Sequence, residues 1–440
     1  MDKNMLGAEN AAGEISAPVL EEDAPFSPNW REIIAAFLLY IGAYIYMDGL
    51  ESWKLAAFVV LFIALTELLN RGRPRPWESW IWLGCMLLVT GCIAWRGLHP
   101  YQYDSRYPEL VNHEYILSEK LLFLILHIFA VYWLMSRSGR LTGGESGHLL
   151  PLDALYAFVI IPFKNFFLRI RCVLFALKPK KERKINAGAV AAAVLAAFIV
   201  LVLLVMAMTQ LSAADDTFSS LLEGLRDALT LDLDQVWFYR FLLSLPVGAY
   251  VFGLLAGLGR ETPETMRKHG ASAETALPKL RVVPEAVWLA ALGVFSVLYL
   301  AFFFVQGRYL FGAFTRTLPE SFTVAEYARQ GFFELCRVMA INFTLFWLVS
   351  RTARRESGAV RWMAAALLIE SMLFAVVALS KLALYIDCFG FTPKRLQSTW
   401  LVCVLLFGSA CALYTHLTGR KSMRIWMIFG AVTLALLCVW

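Results

Sequence analysis

Residues 361–383 read RWMAAALLIESMLFAVVALSKLA. Between Arg361 and Lys381 the only charge is Glu370, and nearly everything else is apolar or small. A helix rises about 1.5 Å per residue, so about 20 such residues cross the ~30 Å hydrocarbon core of a bilayer. The run is continuous rather than alternating, which excludes the strands of a transmembrane β-barrel. Similar blocks recur near 31–49, 53–69, 80–96, 120–136, 187–210, 236–258, 285–305, 331–350, 398–417 and 424–440. The chain reads as an all-α, polytopic transmembrane helix bundle of eleven spans.

Composition agrees. Of the 440 residues 59% are hydrophobic and only 17% charged, too few charges to cover a water-soluble body of this size. Net charge is +6, and the bases sit in short loops rather than in one stripe, so nucleic acid is not an expected partner. Eight cysteines lie mostly inside apolar runs with no C-x-x-C pair, which fits neither a disulfide framework nor structural zinc. No cofactor or metal is expected. Loops are too short for a soluble catalytic domain, so any chemistry belongs to the bundle or its two faces, and no internal repeat is evident.

Loop charge orients the bundle. Arg71, Arg73 and Arg75, ten bases between 137 and 186, Arg260 to Arg281, Arg351 to Arg361, and Arg420 to Arg424 fall in one set of loops. The alternate loops carry acids such as Asp215, Asp216, Glu223 and Asp227. The basic set is expected in the cytoplasm of a bacterial cell, with the N-terminus inside, the C-terminus outside and the chain in the inner membrane. Residues 149–177, LLPLDALYAFVIIPFKNFFLRIRCVLFAL, decide the parity. Asp153, Pro162, Lys164, Arg169 and Arg171 interrupt them, so the segment is expected to lie amphipathically at the anionic surface rather than to span. The expected organisation is an acidic disordered tail over 1–30 with no signal-peptide pattern, a four-helix part over 31–136, a basic linker with its interfacial helix over 137–186, and a seven-helix part over 187–440. Gly143-Gly144-Glu145-Ser146-Gly147 lacks the lysine of a phosphate loop and reads as a flexible turn.

Ionisable groups within spans cost about 2.5–3.5 kcal/mol each on insertion scales and normally face partners or water. Arg240, Glu334, Arg337 and Lys381 cluster toward the expected outer side. Glu334 and Arg337 are spaced to pair, and Glu370 and Lys381, eleven apart, share one helix face. This set is either an outward polar cavity for an anionic group or a group of ion pairs that fix helix register. His127 reads as a satisfied interior histidine. The tyrosine-rich 97–119 loop reads as an interfacial belt or a headgroup-binding lid, and Asp48 and Glu51 as solvated turn acids or the acids of a lipid-linked-sugar transferase.

Two stretches carry a resemblance. Glu326-Tyr327-Ala328-Arg329-Gln330-Gly331-Phe332-Phe333-Glu334-Leu335 contains Tyr-x-x-x-Gly at the start of a helix. Leu384-Tyr385-Ile386-Asp387-Cys388-Phe389-Gly390-Phe391-Thr392-Pro393-Lys394-Arg395-Leu396, followed by Trp400, is similar to a Tyr-x-x-x-Tyr-Gly-Leu-Thr-x-x-Arg turn, with Phe389 and Phe391 at its tyrosine and leucine positions. Together they resemble the bacterial multi-pass membrane families known as domains of unknown function 4153 and 4173, most closely over about 320–410. The resemblance implies a bacterial membrane protein and brings no activity, hence no catalytic residues.

Gly390 suits a left-handed turn, while Thr392 and Pro393 suit a helix start. That leaves Tyr327, Arg329, Tyr385 and Arg395 without a structural duty, on the side of Glu334, Arg337 and Lys381. The leading expectation is a protein that binds or moves a small or lipid-derived anionic ligand, contacted by Arg337, Lys381 and Arg395 and oriented by Glu334 and Tyr385. A membrane-embedded transferase acting on lipid-linked substrates, and a non-catalytic partner or sensor subunit of an envelope assembly, stay open beside it. Membrane lipids are expected partners in every case.

Overall fold

A computed structural model describes residues 26–49, 53–98, 118–177, 235–276, 280–310, 332–354 and 357–439, with a few isolated positions between 196 and 207. The described chain is helical, with no strand among these residues. α1 (Trp30–Asp48), α2 (Lys54–Leu69), α3 (Glu78–Leu98) and α4 (Glu119–Ser138) come first. α5 (Leu150–Leu155), a π-helical turn (Tyr156–Ile160), α6 (Ile161–Lys164) and α7 (Leu168–Leu177) follow. Then come α8 (Gln235–Arg260), α9 (Pro263–Ala276), α10 (Glu285–Leu310), α11 (Phe332–Thr352), α12 (Gly358–Phe389), α13 (Pro393–Thr418) and α14 (Met423–Leu437).

Eight of these helices, α1, α3, α4, α8 and α10 to α13, are long and apolar enough to cross a membrane. The expected spans near 53–69 and 424–440 fall on α2 and α14, of 16 and 15 residues. At about 1.5 Å per residue these reach only about 22–24 Å. The expected span at 187–210 lies almost wholly outside the described residues, as do residues 1–25 of the acidic tail and 99–117 of the 97–119 loop.

Local chemistry sets the helix ends. Asn29 and Glu32 form a capping box on α1. Ser118 and Ser357 cap α4 and α12 through their hydroxyls. Pro393 follows Thr392 into α13.

Packing does not follow chain order. One apolar core is built from α1 to α4, the 150–177 segment, α8 and α14, and includes Leu39, Met86, Trp133, Phe252 and Ala435. A second is built from α10 to α13 around Leu292, Met339, Leu367, Phe374 and Val402. α14 lies on both α13 and α3, and Trp400 of α13 donates to Thr433 of α14 at 3.0 Å.

The 150–177 segment differs from a helix resting on a surface. Pro162 cannot donate to the carbonyl four residues back, and the Tyr250 hydroxyl takes that place, donating to Phe158 O at 2.8 Å. α6 then meets α8 at Gly253 and Gly257, where a Cβ would lie 2.6 Å from Pro162 O and 2.5 Å from Asn165 Nδ2. Past the turn at 165–167, Arg169 is 3% exposed, not on a solvated face. Its guanidinium donates to Ala36 O at 3.4 Å and Leu245 O at 3.3 Å and lies 3.5 Å from the Tyr40 ring centroid. The aromatic face and two carbonyls supply what water would have supplied to that cation. Phe163 and Leu177 point away, 62% and 66% exposed, so an apolar face remains toward the membrane.

Candidate functional site

Three helices of the second core bring polar groups into an otherwise apolar interior. From α10, Tyr299 Oη donates to Asn342 Oδ1 of α11 at 2.7 Å. Asn342 Nδ2 donates in turn to Ser371 Oγ of α12 at 2.8 Å. One residue earlier on α12, Glu370 is 6% exposed and accepts from Ser296 Oγ of α10 at 3.3 Å. Lys381 is 1% exposed, three turns further along the same buried face. An ionisable group at such depth loses its hydration and keeps only the partners that neighbouring helices offer.

The other expected residues that the structure describes sit at the Lys381 end but do not converge on one point. Glu334 and Arg337 approach to 4.0 Å while their side chains stay 62% and 74% exposed, a geometry that contributes little. Arg395 folds back on the turn, donating to Phe389 O at 2.9 Å and to Gly390 O, with its guanidinium 4.0 Å from the Tyr385 ring centroid. It closes the end of α12, where Gly390 has φ +76°. The turn thus gives Tyr385 and Arg395 the structural duty that sequence alone did not show. Tyr327 and Arg329 lie outside the described residues. His127 is satisfied on both nitrogens, 2.9 Å from Tyr46 Oη and 2.6 Å from Phe123 O. Asp48 is bridged to both Arg240 and Lys54, and Glu51 lies outside the described residues.

The opposite end of the bundle, where the basic loops gather, holds a denser network that sequence reading missed. Glu78, 2% exposed, accepts from Ser146 N at 3.1 Å and Ser146 Oγ at 2.9 Å and pairs with Arg424. Arg424 also reaches Glu145 at 2.6 Å. Asp153, 1% exposed, accepts from Thr142 N at 2.8 Å and Thr142 Oγ1 at 2.7 Å. The 143–147 stretch is therefore held rather than a loose turn, because buried Glu78 takes the Ser146 N–H and hydroxyl as donors while buried Asp153 takes those of Thr142 just before it. Burial pushes the Asp153 carboxyl up, and the Thr142 hydrogen bonds only partly offset that.

Arg137 grips Glu67 with two nitrogens, at 2.8 and 3.0 Å. Arg73 and Arg140 donate to Gly259 O and Leu258 O, at 2.8 and 3.3 Å, satisfying last-turn carbonyls of α8 with positive charge where the helix dipole is negative. Burial first, and Arg73 next to it, push Arg140 down to about 10. Two cavities open at this end. One of about 390 Å³ is lined by Trp77, Glu145, His148, Lys421 and Arg424 among others. The other, of about 490 Å³, lies between the starts of α1 and the ends of α2 and α8. No group of three or more His, Cys, Asp or Glu that could hold a metal ion occurs among the described residues.

Compared with known protein families, residues 110–440 match the one described as Domain of unknown function (DUF4153). No curated protein and no solved structure matches the chain.

Proposed function

The chain belongs to the DUF4153 family, whose match covers three quarters of its length, and from that premise we propose that it is a bacterial inner-membrane protein that binds or moves a small or lipid-derived anionic ligand within its second helix group. The observation that carries this reading is the burial of two ionisable groups, Glu370 and Lys381, on one face of α12. Both are withdrawn from water inside the bundle, at separate depths. They stand eleven residues apart, about 16 Å along the helix axis. The hydroxyl and amide chain of Tyr299, Asn342 and Ser371 lies beside Glu370, so the interior offers polar contacts at more than one depth.

By the excess of lysine and arginine in one set of loops, the basic end faces the cytoplasm and the Lys381 end faces outward. Lys381 and Arg337 then supply positive charge for an anionic group arriving from outside, Glu334 balances them, and Glu370 forms the inner limit of the polar lane. The transferase reading gains nothing from Asp48, which two cations already occupy.

Native mass spectrometry of the gently extracted protein tests the proposal, with Lys381→Gln and Arg337→Ala variants beside the wild type. The expected result is a bound anion or lipid in the wild type that either variant loses. Equal spectra in all three, or a co-purified protein in place of a small ligand, would overturn it in favour of a partner subunit.

A further inference from the structure

The cavity of about 490 Å³ at the start of α1 is independent of the polar lane in the second helix group. Its charged lining consists of Arg31, Arg73 and Arg260 against a single carboxylate, Glu32. Glu32 is already committed: Arg260 Nε and NH2 meet its two oxygens at 2.8 Å each, and Asn29 N donates to it at 3.0 Å. Arg73 spends two of its nitrogens on Gly259 O and Asn70 Oδ1. Arg31 uses only NH1, donating to Arg71 O at 3.3 Å, and its Nε is buried without an acceptor among the described residues. Three guanidiniums therefore face one space with donors to spare and, among the described residues, too little negative charge to match them. Phe26 and Leu69 give the same space apolar walls.

Guanidinium forks match the oxygens of a phosphate, and a basic pocket between transmembrane helices at the cytoplasmic surface suits an anionic lipid headgroup. The neighbouring face of α1 offers a place for the acyl chains, since Ile34, Phe37 and Ile41 are 41%, 42% and 63% exposed along the descent from Arg31. We infer that this cavity binds the phosphate headgroup of an anionic phospholipid, with Arg31 as the residue most nearly free to hold it and Arg73 and Arg260 completing the wall.

Full-length protein is purified as wild type, Arg31→Gln, Arg31→Lys and, as a control at an exposed position of the same end of the bundle, Arg420→Gln. Each is reconstituted with phosphatidylglycerol or phosphatidylcholine, and retained lipid and melting temperature are measured, with inorganic phosphate as a separate additive. The wild type and Arg420→Gln are expected to retain phosphatidylglycerol selectively and to melt higher in its presence. Arg31→Gln is expected to retain it at least about tenfold less, the effect of one lost charge-assisted contact, while melting like the wild type in phosphatidylcholine. Arg31→Lys, which keeps the charge and loses the fork, is expected to fall between. Undiminished retention by Arg31→Gln overturns the site, as does equal loss in Arg31→Gln and Arg420→Gln, which would mark bulk surface charge. Stabilisation by inorganic phosphate equal to that by phosphatidylglycerol overturns the lipid in favour of a soluble phosphate compound.

Discussion

Asp153 shows what one buried carboxylate imposes on its surroundings. Thr142 satisfies one of its oxygens twice, and the other is buried without a donor in hydrogen-bonding geometry among the described residues. Its pKa in the folded protein is raised by burial, so its favourable contribution is complete below the unfolded value near 4 and declines as pH rises through the folded value. An Asp153→Asn variant keeps the accepting oxygen and cannot ionise. It is expected to melt at or slightly below the wild type at pH 5 and to gain on it as pH rises. Melting curves across that range check the sign, and a gap that narrows with rising pH counts against the assignment. None of this was legible in the sequence, where Asp153 appeared only as a charge interrupting an apolar run. Its partner sits eleven residues earlier, and the burial comes from helices that meet it only in the folded chain. Arg169 teaches the same lesson in the opposite sign: a base in a polar–apolar mixture reads as a surface anchor until Tyr40, Ala36 and Leu245 are seen around it.

At the scale of elements, spans were legible because each is written in one continuous block, and the solvent inside a bilayer leaves the backbone no choice but to be helical. The 150–177 segment was only half legible. Pro162 announced a break, but where the broken pieces rest is written in α8, about 90 residues later, as Gly253 and Gly257. Between helices in a membrane, close backbone approach replaces the hydrophobic effect as the main source of association. Gly253→Val would place carbon against the Pro162 and Asn165 carbonyls, neither of which is the end of a flexible side chain. The variant is expected to lose about 2–4 kcal/mol and to loosen α7 from α8. Cys172 of α7, fully buried, gives a readout: its alkylation rate, resolved by peptide mass, should rise at least tenfold over the wild type. An unchanged rate with a stable protein would show that α7 is held by α1 alone.

For the whole molecule, hydropathy and loop charge make a joint claim that side-chain contacts do not touch. With the span near 187–210 counted and the 150–177 segment lying at the interface, the number of crossings is odd. A phosphatase fused after residue 440 should then be active, and a fluorescent protein fused before residue 1 should glow, because the first reporter works only outside the cytoplasm and the second chiefly within it. Only one of the two reporters active would place both termini on the same side and make the number of crossings even, because the 150–177 segment crosses or because one of α2, α14 and the 187–210 stretch does not. What neither hydropathy nor charge could give is the partition into two cores, since both are read along the chain and the partition is made across it. α14 rests on α3, and its Ala435 and Cys438 belong with Cys85, Met86 and Trp133 rather than with the helices that immediately precede it. This sets a timetable for biogenesis. Helices α1 to α4 leave the ribosome long before the element that covers α3, so the first third of the protein must wait in the bilayer with an unfinished flank while some three hundred residues are still being translated. Through that interval the insertion machinery, lipid or a membrane chaperone has to cover the flank, and a ribosome stalled before α14 would present the cell's quality-control proteases with a nearly complete chain whose first core is still open.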